Sequence, residues 1–476
     1  MAMKQPHVVI FPFPLQGHMK PLLCLAELLC HAGLHVTYVN THHNHHRLAN
    51  RQALSTHFPT LHFESISDGL PEDDPRTLSS QLLIALKTSI RPHFRELLKT
   101  ISLKAESNDA LVPPPSCIVT DGLVTFAFDV AEELGLPILS YNVPCPRYLW
   151  TCLCLPKLIE NGQLPFQGKN DDMNVEITGV PGMEGLLHRQ DLPGFCRVKQ
   201  ADHPSLQFAI NETQTLKRAS ALILDTVYEL DAPCISHMAL TFPKIYTLGP
   251  LHALLNSQIG DMSRGLASHG SLWKSDLNCM TWLNSQPSKS VIYVSFGTLV
   301  HLTRAQVIEF WYGLVNSGHP FLWVMRSDIT SGDHQIPAEL EKGTKERGYI
   351  VDWVSQEEVL AHKSVGGFLT HSGWNSTLES IVAGLPMICW PNLGDHYIIS
   401  RTVCRQWKIG LQLNENCDRS NIESMVQTLM GPKREEIQSS MDAISKLARD
   451  SVAEGGSSHN NLEQLIEYIR NLQHQN

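Results

Sequence analysis

Short apolar runs that alternate with helical stretches constrain the fold of this chain more than any other feature of its sequence. Six runs in the first half have the length and apolar character of buried strands. They span residues 8–11, 35–40, 117–121, 138–142, 221–225 and 245–248. Between the first two runs, residues 21–30 have the apolar spacing of a buried helix, which Gly33 ends. This alternation predicts a parallel, doubly wound sheet of the α/β class.

A second series of apolar runs begins near Asn278 and predicts a second sheet of the same kind. Its strands are expected at residues 291–296, 321–325, 349–351, 367–370 and 387–390. Residues 251–275 lie between the two series, are rich in Ser, Gly and His, and show no clear periodicity. We therefore predict a first domain over residues 1–250, an interdomain linker over 251–275 and a second domain over 276–450.

The last segment, residues 451–476, is predicted to form an amphipathic helix after a flexible Gly-Gly break. Its apolar residues recur at helical spacing and are Leu462, Leu465, Ile466, Ile469 and Leu472. A helix with one apolar stripe must bury that stripe against a neighbouring surface.

Length, charge and cysteine spacing exclude several classes of protein. A chain of 476 residues is long enough for two domains, each with its own core. The net charge of −10 argues against nucleic-acid binding, which usually requires a basic surface. The N-terminus has too few apolar residues for a signal peptide, and no apolar run approaches the roughly 20 residues of a membrane span. The twelve cysteines form no CxxC pair, so we expect reduced thiols and a cytoplasmic location.

His18 is the first candidate catalytic residue, because it lies between the first predicted strand and the first predicted helix. This position is the carboxyl edge of a parallel sheet, where ligands bind. The positive end of a helix disfavours a protonated imidazole, so we expect His18 to be neutral and able to accept a proton. Asp121 ends the strand at 117–121 on the same edge and can fix the tautomer of the imidazole. A capping or core role is the alternative for each residue taken alone.

The stretch 353–396 combines the groups that hold a nucleotide, its diphosphate and an attached sugar. Trp353 offers a ring for stacking on a base, with core packing as the alternative for this residue alone. Glu379 offers a carboxylate for ribose hydroxyls. The turn at Gly373 opens a helix whose free N–H groups suit phosphates. Asp395 and His396 end the stretch. The other predicted donor-site residues are Gly17, Ser295, Thr298, Val354, Gln356, His371, Trp374, Asn375 and Ser376.

No metal or other cofactor is predicted. The phosphate turn has no Walker lysine and no acidic metal pair, and a diphosphate held by a helix end and neutral donors needs no divalent cation. The histidine tract at 42–46 has no carboxylate or cysteine partner nearby in the sequence, and we expect a solvated loop there. The absence of a GxGxxG motif after a first strand argues against a dinucleotide-dependent oxidoreductase.

The stretch WVSQEEVLAHKSVGGFLTHSGWNSTLESIVAGLPMICWPNLGDH resembles the signature box of the plant family 1 UDP-glycosyltransferases. The opening HVVIFPFPLQGHMKPLLCLAELL, the middle HRQDLPGF and the later SVIYVSFGTL fit the same family in the same order. The resemblance implies the GT-B architecture, in which two Rossmann-like domains face each other across the active-site cleft and the C-terminal helix packs back on the first domain. It also implies that His18 is the catalytic base, that Asp121 is its partner, and that Asp395 and His396 contact the transferred sugar.

The resemblance leaves the sugar and the acceptor open. Glucosyltransferases of this family usually end the box with Gln, whereas this chain has His396, so glucose ranks first and galactose or a pentose remain alternatives. The sequence is most similar to the branch that glucosylates monoterpenoids, iridoids and cyanohydrins. We expect inverting transfer from a UDP-sugar to a hydroxyl or carboxyl of a small lipophilic plant metabolite such as a terpenoid, iridoid or phenolic, by a monomer. Carbon-linked transfer and a non-catalytic UDP-sugar binding protein are the further alternatives.

Overall fold

The computed structural model describes residues 5–106, 112–166, 172–260, 270–326, 338–413 and 417–472. The strands are β1 (His7–Phe11), β2 (His35–Thr41), β3 (Leu61–Ile66), β4 (Cys117–Asp121), β5 (Ile138–Asn142), β6 (Ala221–Leu224), β7 (Ile245–Thr247), β8 (Val291–Ser295), β9 (Phe321–Val324), β10 (Gly348–Val351), β11 (Val365–Thr370), β12 (Met387–Cys389) and β13 (Gly410–Gln412).

The helices are α1 (Gln16–His31), α2 (His42–Arg47), α3 (Arg51–His57), α4 (Ser80–Ala85), α5 (Arg91–Ala105), α6 (Phe126–Leu134), α7 (Pro146–Glu160), α8 (Pro204–Thr215), α9 (Tyr228–Met238), α10 (Leu251–Ile259), α11 (Asn278–Asn284), α12 (Arg304–Asn316), α13 (Ala338–Arg347), α14 (Gln356–Leu360), α15 (Trp374–Ala383), α16 (His396–Arg401), α17 (Arg419–Met430), α18 (Arg434–Val452) and α19 (Ser457–Leu472).

Two parallel sheets organise these elements, as the alternation of strands and helices predicts. The first sheet has the order β3-β2-β1-β4-β5-β6-β7, and the second has the order β10-β9-β8-β11-β12-β13. Helices cover both faces of each sheet, which explains why most strands are continuous apolar runs. In β1, for example, Val8 and Ile10 belong to one buried cluster and Val9 and Phe11 to another. The predicted α/β class is confirmed.

Every strand predicted from the sequence occurs, with bounds that differ by at most two residues. Two strands were not predicted, and both lie at a sheet edge. Strand β3 has the polar residues His62, Glu64 and Ser65 and is buried only in part, so it lacks a continuous apolar run. Strand β13 is only three residues long. Edge strands of this kind escape a search for buried apolar segments.

The expectation of an irregular linker over residues 251–275 is wrong for its first nine residues, which form helix α10. Leu251, Leu254, Leu255 and Ile259 are buried and belong to the same apolar cluster as α1. These positions have helical spacing, but the Ser, Gly and His content of the whole segment obscured it. Residues 261–269 lie outside the described part of the chain.

The C-terminal helix α19 packs against the first sheet and its helices. Its apolar stripe, which includes Leu465 and Ile469, joins the cluster built around β1, β2 and α1. At its first turn, Ser458 Oγ donates to the Gly249 carbonyl at 2.6 Å. Near its end, an Arg470 N–H group donates to the Ala32 carbonyl at 2.9 Å. The chain therefore returns to its first half after completing the second sheet.

Two further observations concern single helices. The histidine tract, expected to be a loop, forms the short helix α2, with the Thr41 side chain accepting from the Asn44 N–H as its cap. In the ranges that the structure describes, no helix combines the length and the apolar character that crossing a membrane requires.

Candidate active site

A single cavity lies between the carboxyl ends of β1 and β4 in the first sheet and those of β8 and β11 in the second. Residues from both halves of the chain line it. The predicted site residues that contribute to its lining are Gly17, His18, Ser295, Thr298, Trp353, Val354, Gln356, His371, Gly373, Trp374, Asn375, Ser376, Glu379, Asp395 and His396. The other predicted residue, Asp121, lies directly behind His18. The structure thus brings the two predicted groups of residues together.

His18 and Asp121 form a hydrogen-bonded pair at the carboxyl edge of the first sheet. Strands β1 and β4 are neighbours in parallel register, so the chain segments that follow Phe11 and Thr120 leave the sheet side by side. His18 Nδ1 lies 2.7 Å from Asp121 Oδ2. Because a carboxylate only accepts, Nδ1 carries the proton of the neutral ring, and Nε2 is left as the basic nitrogen on the other side. Asp121 is fully buried, and its second oxygen accepts from the Leu123 N–H at 2.9 Å.

The turn between β11 and α15 is built around His371. Strands β8 and β11 are paired in parallel with Ser295 opposite Thr370, which places the ends of both strands together. Gly297 has a φ of +71°, and a Cβ there would lie 2.6 Å from His371 Nε2, so this close approach requires glycine. Burial lowers the pKa of His371 to about 4, and a hydrogen bond with the Ser295 backbone opposes this only in part. The imidazole is therefore neutral.

Helix α15 directs its N-terminus into the cavity from Gly373 onward. Near this turn, two buried side-chain atoms of lining residues make no hydrogen bond to any described residue, namely His371 Nδ1 and Asn375 Oδ1. Buried polar atoms are nearly always paired, so this arrangement is typical of a site for a polar ligand. The free N–H groups of a helix start favour an anionic one.

Two residues of α15 reach across the cleft to the first domain. The Asn375 amide donates to the Gly17 carbonyl at 2.7 Å. The Trp374 indole is buried and donates to the Asp225 carbonyl at 2.6 Å. Trp374 therefore lines the cavity at the helix start, and its side chain connects the two domains.

Gln356, Ser376 and Glu379 form one network on the wall of the cavity. The Gln356 amide nitrogen lies 2.9 Å from Ser376 Oγ and 2.6 Å from Glu379 Oε2, and it donates to both. The Gln356 carbonyl oxygen accepts from the Tyr293 hydroxyl at 3.1 Å. The prediction from sequence did not include Tyr293, because a tyrosine inside a buried strand has the signal of a core residue. The network fixes the orientation of the Glu379 carboxylate.

Lys20 is a second residue that the sequence prediction missed. It lies two positions after His18 on α1, and its Nζ is 2.8 Å from Glu379 Oε1 and also paired with Glu357. The first domain therefore supplies a cation to the carboxylates of the second. Its position one turn into an apolar helix gave no sign of this role, because the partners come from far along the chain.

Trp353 lines the cavity and is backed by a second tryptophan. The rings of Trp353 and Trp273 have centroids 4.7 Å apart and planes inclined by 34°. Trp273 in turn lies against the guanidinium of Arg326, at 4.4 Å from the ring centroid. Val354, next in the chain, is buried and also lines the cavity. The ring of Trp353 is thus packed against a second, tilted aromatic ring, which in turn contacts a cationic group.

Asp395 and His396 also line the cavity. Asp395 Oδ2 accepts from the Cys145 N–H at 3.0 Å, so this carboxylate also spans the cleft. Burial raises the pKa of Asp395 to about 6, and that hydrogen bond opposes the shift. The ring of His396 packs edge-to-face on His371 with centroids 4.8 Å apart, and burial next to His371 holds the pKa of His396 well below its usual range. His396 is accordingly neutral.

Two facing parallel α/β domains with a nucleotide-sized cleft define the GT-B class of glycosyltransferases. The structure superposes on that of Os79 from O. sativa in complex with UDP with a TM-score of 0.81 and 27% sequence identity, covering 97% of this chain and 100% of the other. The chain belongs to the UDP-glucoronosyl and UDP-glucosyl transferase family, whose model matches residues 206–451, and a model of the glycosyltransferase N-terminal domain matches residues 4–135. It is a UDP-dependent glycosyltransferase.

Two curated relatives show where in the family this chain lies. It is 46% identical to the 7-deoxyloganetic acid glucosyltransferase of Catharanthus roseus, with 98% of each chain covered. It is 47% identical to mogroside I-A1 synthase of Siraitia grosvenorii, over 96% of this chain and 87% of the relative. The predicted family, fold class and type of enzyme are confirmed. The roles of the individual site residues stay predictions.

Proposed function

We propose that this chain transfers glucose from UDP-glucose to a hydroxyl or carboxyl group of a small terpenoid, iridoid or phenolic compound, with inversion at the anomeric carbon. The observation that supports this most directly is the position of the His18–Asp121 pair, whose imidazole lines the same cavity as the turn at His371 and Gly373. A base and a phosphate-binding helix start that share a cavity are the two parts that glycosyl transfer needs.

In the proposed reaction, His18 Nε2 accepts the proton of the acceptor hydroxyl as the oxygen attacks the anomeric carbon. The new carbon–oxygen bond forms as the bond from that carbon to the β-phosphate oxygen breaks, and UDP leaves with the electron pair. The Asp121 carboxylate stabilises the imidazolium that forms. A carboxylate acceptor is already an anion and attacks without this proton transfer.

We assign the donor to the second domain. Trp353 stacks on the uracil, Val354 presents its backbone to the edge of the base, and Gln356 and Glu379 bind base or ribose oxygens. The start of α15 binds the diphosphate through backbone N–H groups. The side chains assigned to the phosphates and to the sugar are His371, Asn375, Ser376, Ser295, Thr298, Asp395 and His396.

We also propose that transfer needs no divalent cation. The groups at the diphosphate site are a helix N-terminus, hydroxyls, an amide and neutral imidazoles, all of which can donate hydrogen bonds to phosphate oxygens. Activity that survives dialysis against EDTA supports the proposal, and activity that returns only when Mg²⁺ or Mn²⁺ is added contradicts it.

The acceptor assignment is supported by the cavity wall around His18, which is apolar. Leu15, Leu123, Val143 and Tyr148 line it. Val143 and Tyr148 follow β5 in the chain, so this part of the first domain helps to form the wall. The relatives in Catharanthus and Siraitia are named for an iridoid acid and a mogroside, which agrees with a lipophilic acceptor. We place the enzyme in the cytoplasm as a monomer.

The test is incubation of the purified protein with UDP-glucose, UDP-galactose, UDP-xylose and UDP-arabinose against a panel of terpenoid, iridoid and phenolic acceptors, analysed by mass spectrometry. A hexose increment from UDP-glucose alone supports the proposal. A pentose increment, or a preference for UDP-galactose, contradicts the sugar assignment. A product that resists acid hydrolysis is carbon-linked and contradicts oxygen transfer. Tight UDP-glucose binding without any product would identify a binding protein.

A further inference from the structure

Lys20 connects the two sides of the cleft through charge. It extends from helix α1 of the first domain to Glu379 and Glu357 of the second, with 2.8 Å between its Nζ and Glu379 Oε1. The side chain of Lys20 is 29% exposed and that of Glu379 is 6% exposed, so the pair is largely removed from water. An ion pair in such a position interacts more strongly than one on the surface.

The charges around the cavity explain why a cation is needed there. Among the described residues that line it, three are carboxylates, namely Glu357, Glu379 and Asp395, and Lys20 is the one lysine or arginine side chain. Burial disfavours the ammonium group, but Glu357 and Glu379 outweigh this effect and hold the pKa of Lys20 above its usual value. A sugar nucleotide brings two further negative charges on its diphosphate. Without Lys20, these charges would enter a site whose described lining has no lysine or arginine to offset any of its three carboxylates.

We propose that Lys20 is a positioning residue for the sugar nucleotide: it offsets one of the two negative charges of Glu357 and Glu379 and holds the Glu379 carboxylate in the orientation that receives the ribose. The inference rests on the proposed assignment of the donor to this cavity. Gln356 holds Oε2 of Glu379 while Lys20 holds Oε1, so the carboxylate is fixed from both sides. Because Lys20 belongs to the same helix as His18, the first domain takes part in binding the donor.

A purely structural ion pair between domains would give a different pattern of binding. If Lys20 only held the domains together, its loss would weaken UDP and uridine to the same extent. If Lys20 offsets carboxylate charge for an anionic ligand, its loss weakens the binding of UDP much more than that of uridine, which lacks the phosphates. Removing the charge of Glu357 should then compensate for removing the charge of Lys20, as coupled neighbours do in a double-mutant cycle.

The experiment is isothermal titration of UDP and of uridine into the wild-type protein and the variants Lys20→Met, Lys20→Arg, Glu357→Gln and Lys20→Met/Glu357→Gln. The exposed Lys217→Met variant is the control for loss of a lysine. We expect Lys20→Met to raise the Kd of UDP about tenfold and that of uridine less than about threefold. We expect Lys20→Arg and the double variant to return the Kd of UDP to within about threefold of wild type.

The proposal is overturned if Lys20→Met binds UDP as wild type does, if it weakens UDP and uridine equally, or if the double variant binds UDP no better than Lys20→Met. Should Lys20→Met fail to fold, Glu357→Gln alone still tests it. That variant removes a negative charge and is expected to bind UDP as tightly as wild type or more tightly, so weaker binding contradicts the proposal. A wild-type protein that binds UDP but yields no glycoside contradicts the proposed function and leaves the role of Lys20 standing.

Discussion

The two sides of the cleft differ in how far apart their residues lie in the sequence. On the donor side, most of the predicted contacts come from one continuous stretch, residues 353–396, which runs from the loop after β10 through α14, β11, α15 and β12 to the start of α16. On the acceptor side, the central pair is His18 and Asp121, which are separated by 103 positions and meet only because β4 lies beside β1. A local motif thus carries the donor site, whereas sheet topology assembles the base.

The variant His18→Ala gives the sharpest test of this contrast. It removes the proposed base on the acceptor side and leaves the donor side unchanged. General base catalysis typically contributes about 10²–10⁴-fold, so turnover should fall by that factor while the Kd of UDP stays at the wild-type value. Steady-state kinetics and UDP titration measure the two quantities. His31→Ala, at the exposed end of the same helix, is the matched control. Undiminished turnover of His18→Ala would refute the assignment of the base.

Asp121→Asn tests whether the distant partner matters. The amide has the same size, but it can donate to His18 Nδ1 and so favour the wrong tautomer of the ring. We expect kcat for hydroxyl acceptors to fall by about 10²-fold, the lower end of what a general base contributes, with little change in the KM for UDP-glucose. The exposed Asp202→Asn variant should behave as wild type. Equal kcat in Asp121→Asn and wild type would show that His18 needs no carboxylate.

Trp353→Ala tests the donor side. Stacking of a base on an aromatic ring contributes about 1–3 kcal/mol, which corresponds to an increase of about 5–150-fold in the Kd of UDP. Trp353→Phe keeps a ring and should retain most of the affinity. Titration with UDP gives both values. If the alanine variant binds UDP as tightly as the phenylalanine variant, the uracil lies elsewhere in the cavity.

The smallest expected effect is that of His396→Gln, which changes the last residue of the box. A longer amide offers more hydrogen-bonding partners to sugar hydroxyls than the buried imidazole does. We expect the ratio of kcat/KM for UDP-glucose to that for UDP-galactose to change by less than about tenfold, in favour of glucose. Competition between the two donors, analysed by product mass and chromatography, measures the ratio. An unchanged ratio would mean that this position does not contact the sugar.

The same contrast explains how much of the molecule the sequence predicts. Buried strands such as β1 and β4, and the turn before α15, follow from local patterns, because apolar runs and a glycine before a helix have the same meaning in many proteins. Three features of the site do not follow from local patterns. They are the cation at Lys20, the packing of Trp273 against Trp353 and the hydrogen bond from Asn375 to Gly17. Each joins residues from different segments, and only the folded arrangement of both domains brings them together.

Helix α10 was missed for a related reason, since the composition of the linker as a whole hid the apolar spacing of its first nine residues. The identity of His371 as a buried, neutral group also depends on three-dimensional contacts with Gly297 and Ser295. Burial, which sets the protonation state of such groups, is a property of packing and has no local sequence signal.

The return of α19 to the first sheet has a consequence for exchanging parts between relatives. A fragment that stops at residue 250 would lack both α10 and α19 and would leave the apolar face around Leu22, Val36 and Leu139 open to water. A chimera can take its first domain from one protein and its second domain from another. Its last helix, the sixteen residues that correspond to Ser457–Leu472, must then come from the protein that supplies the first domain. Because the end of the chain completes the core of the first domain, neither half can be exchanged by a single cut between the two domains.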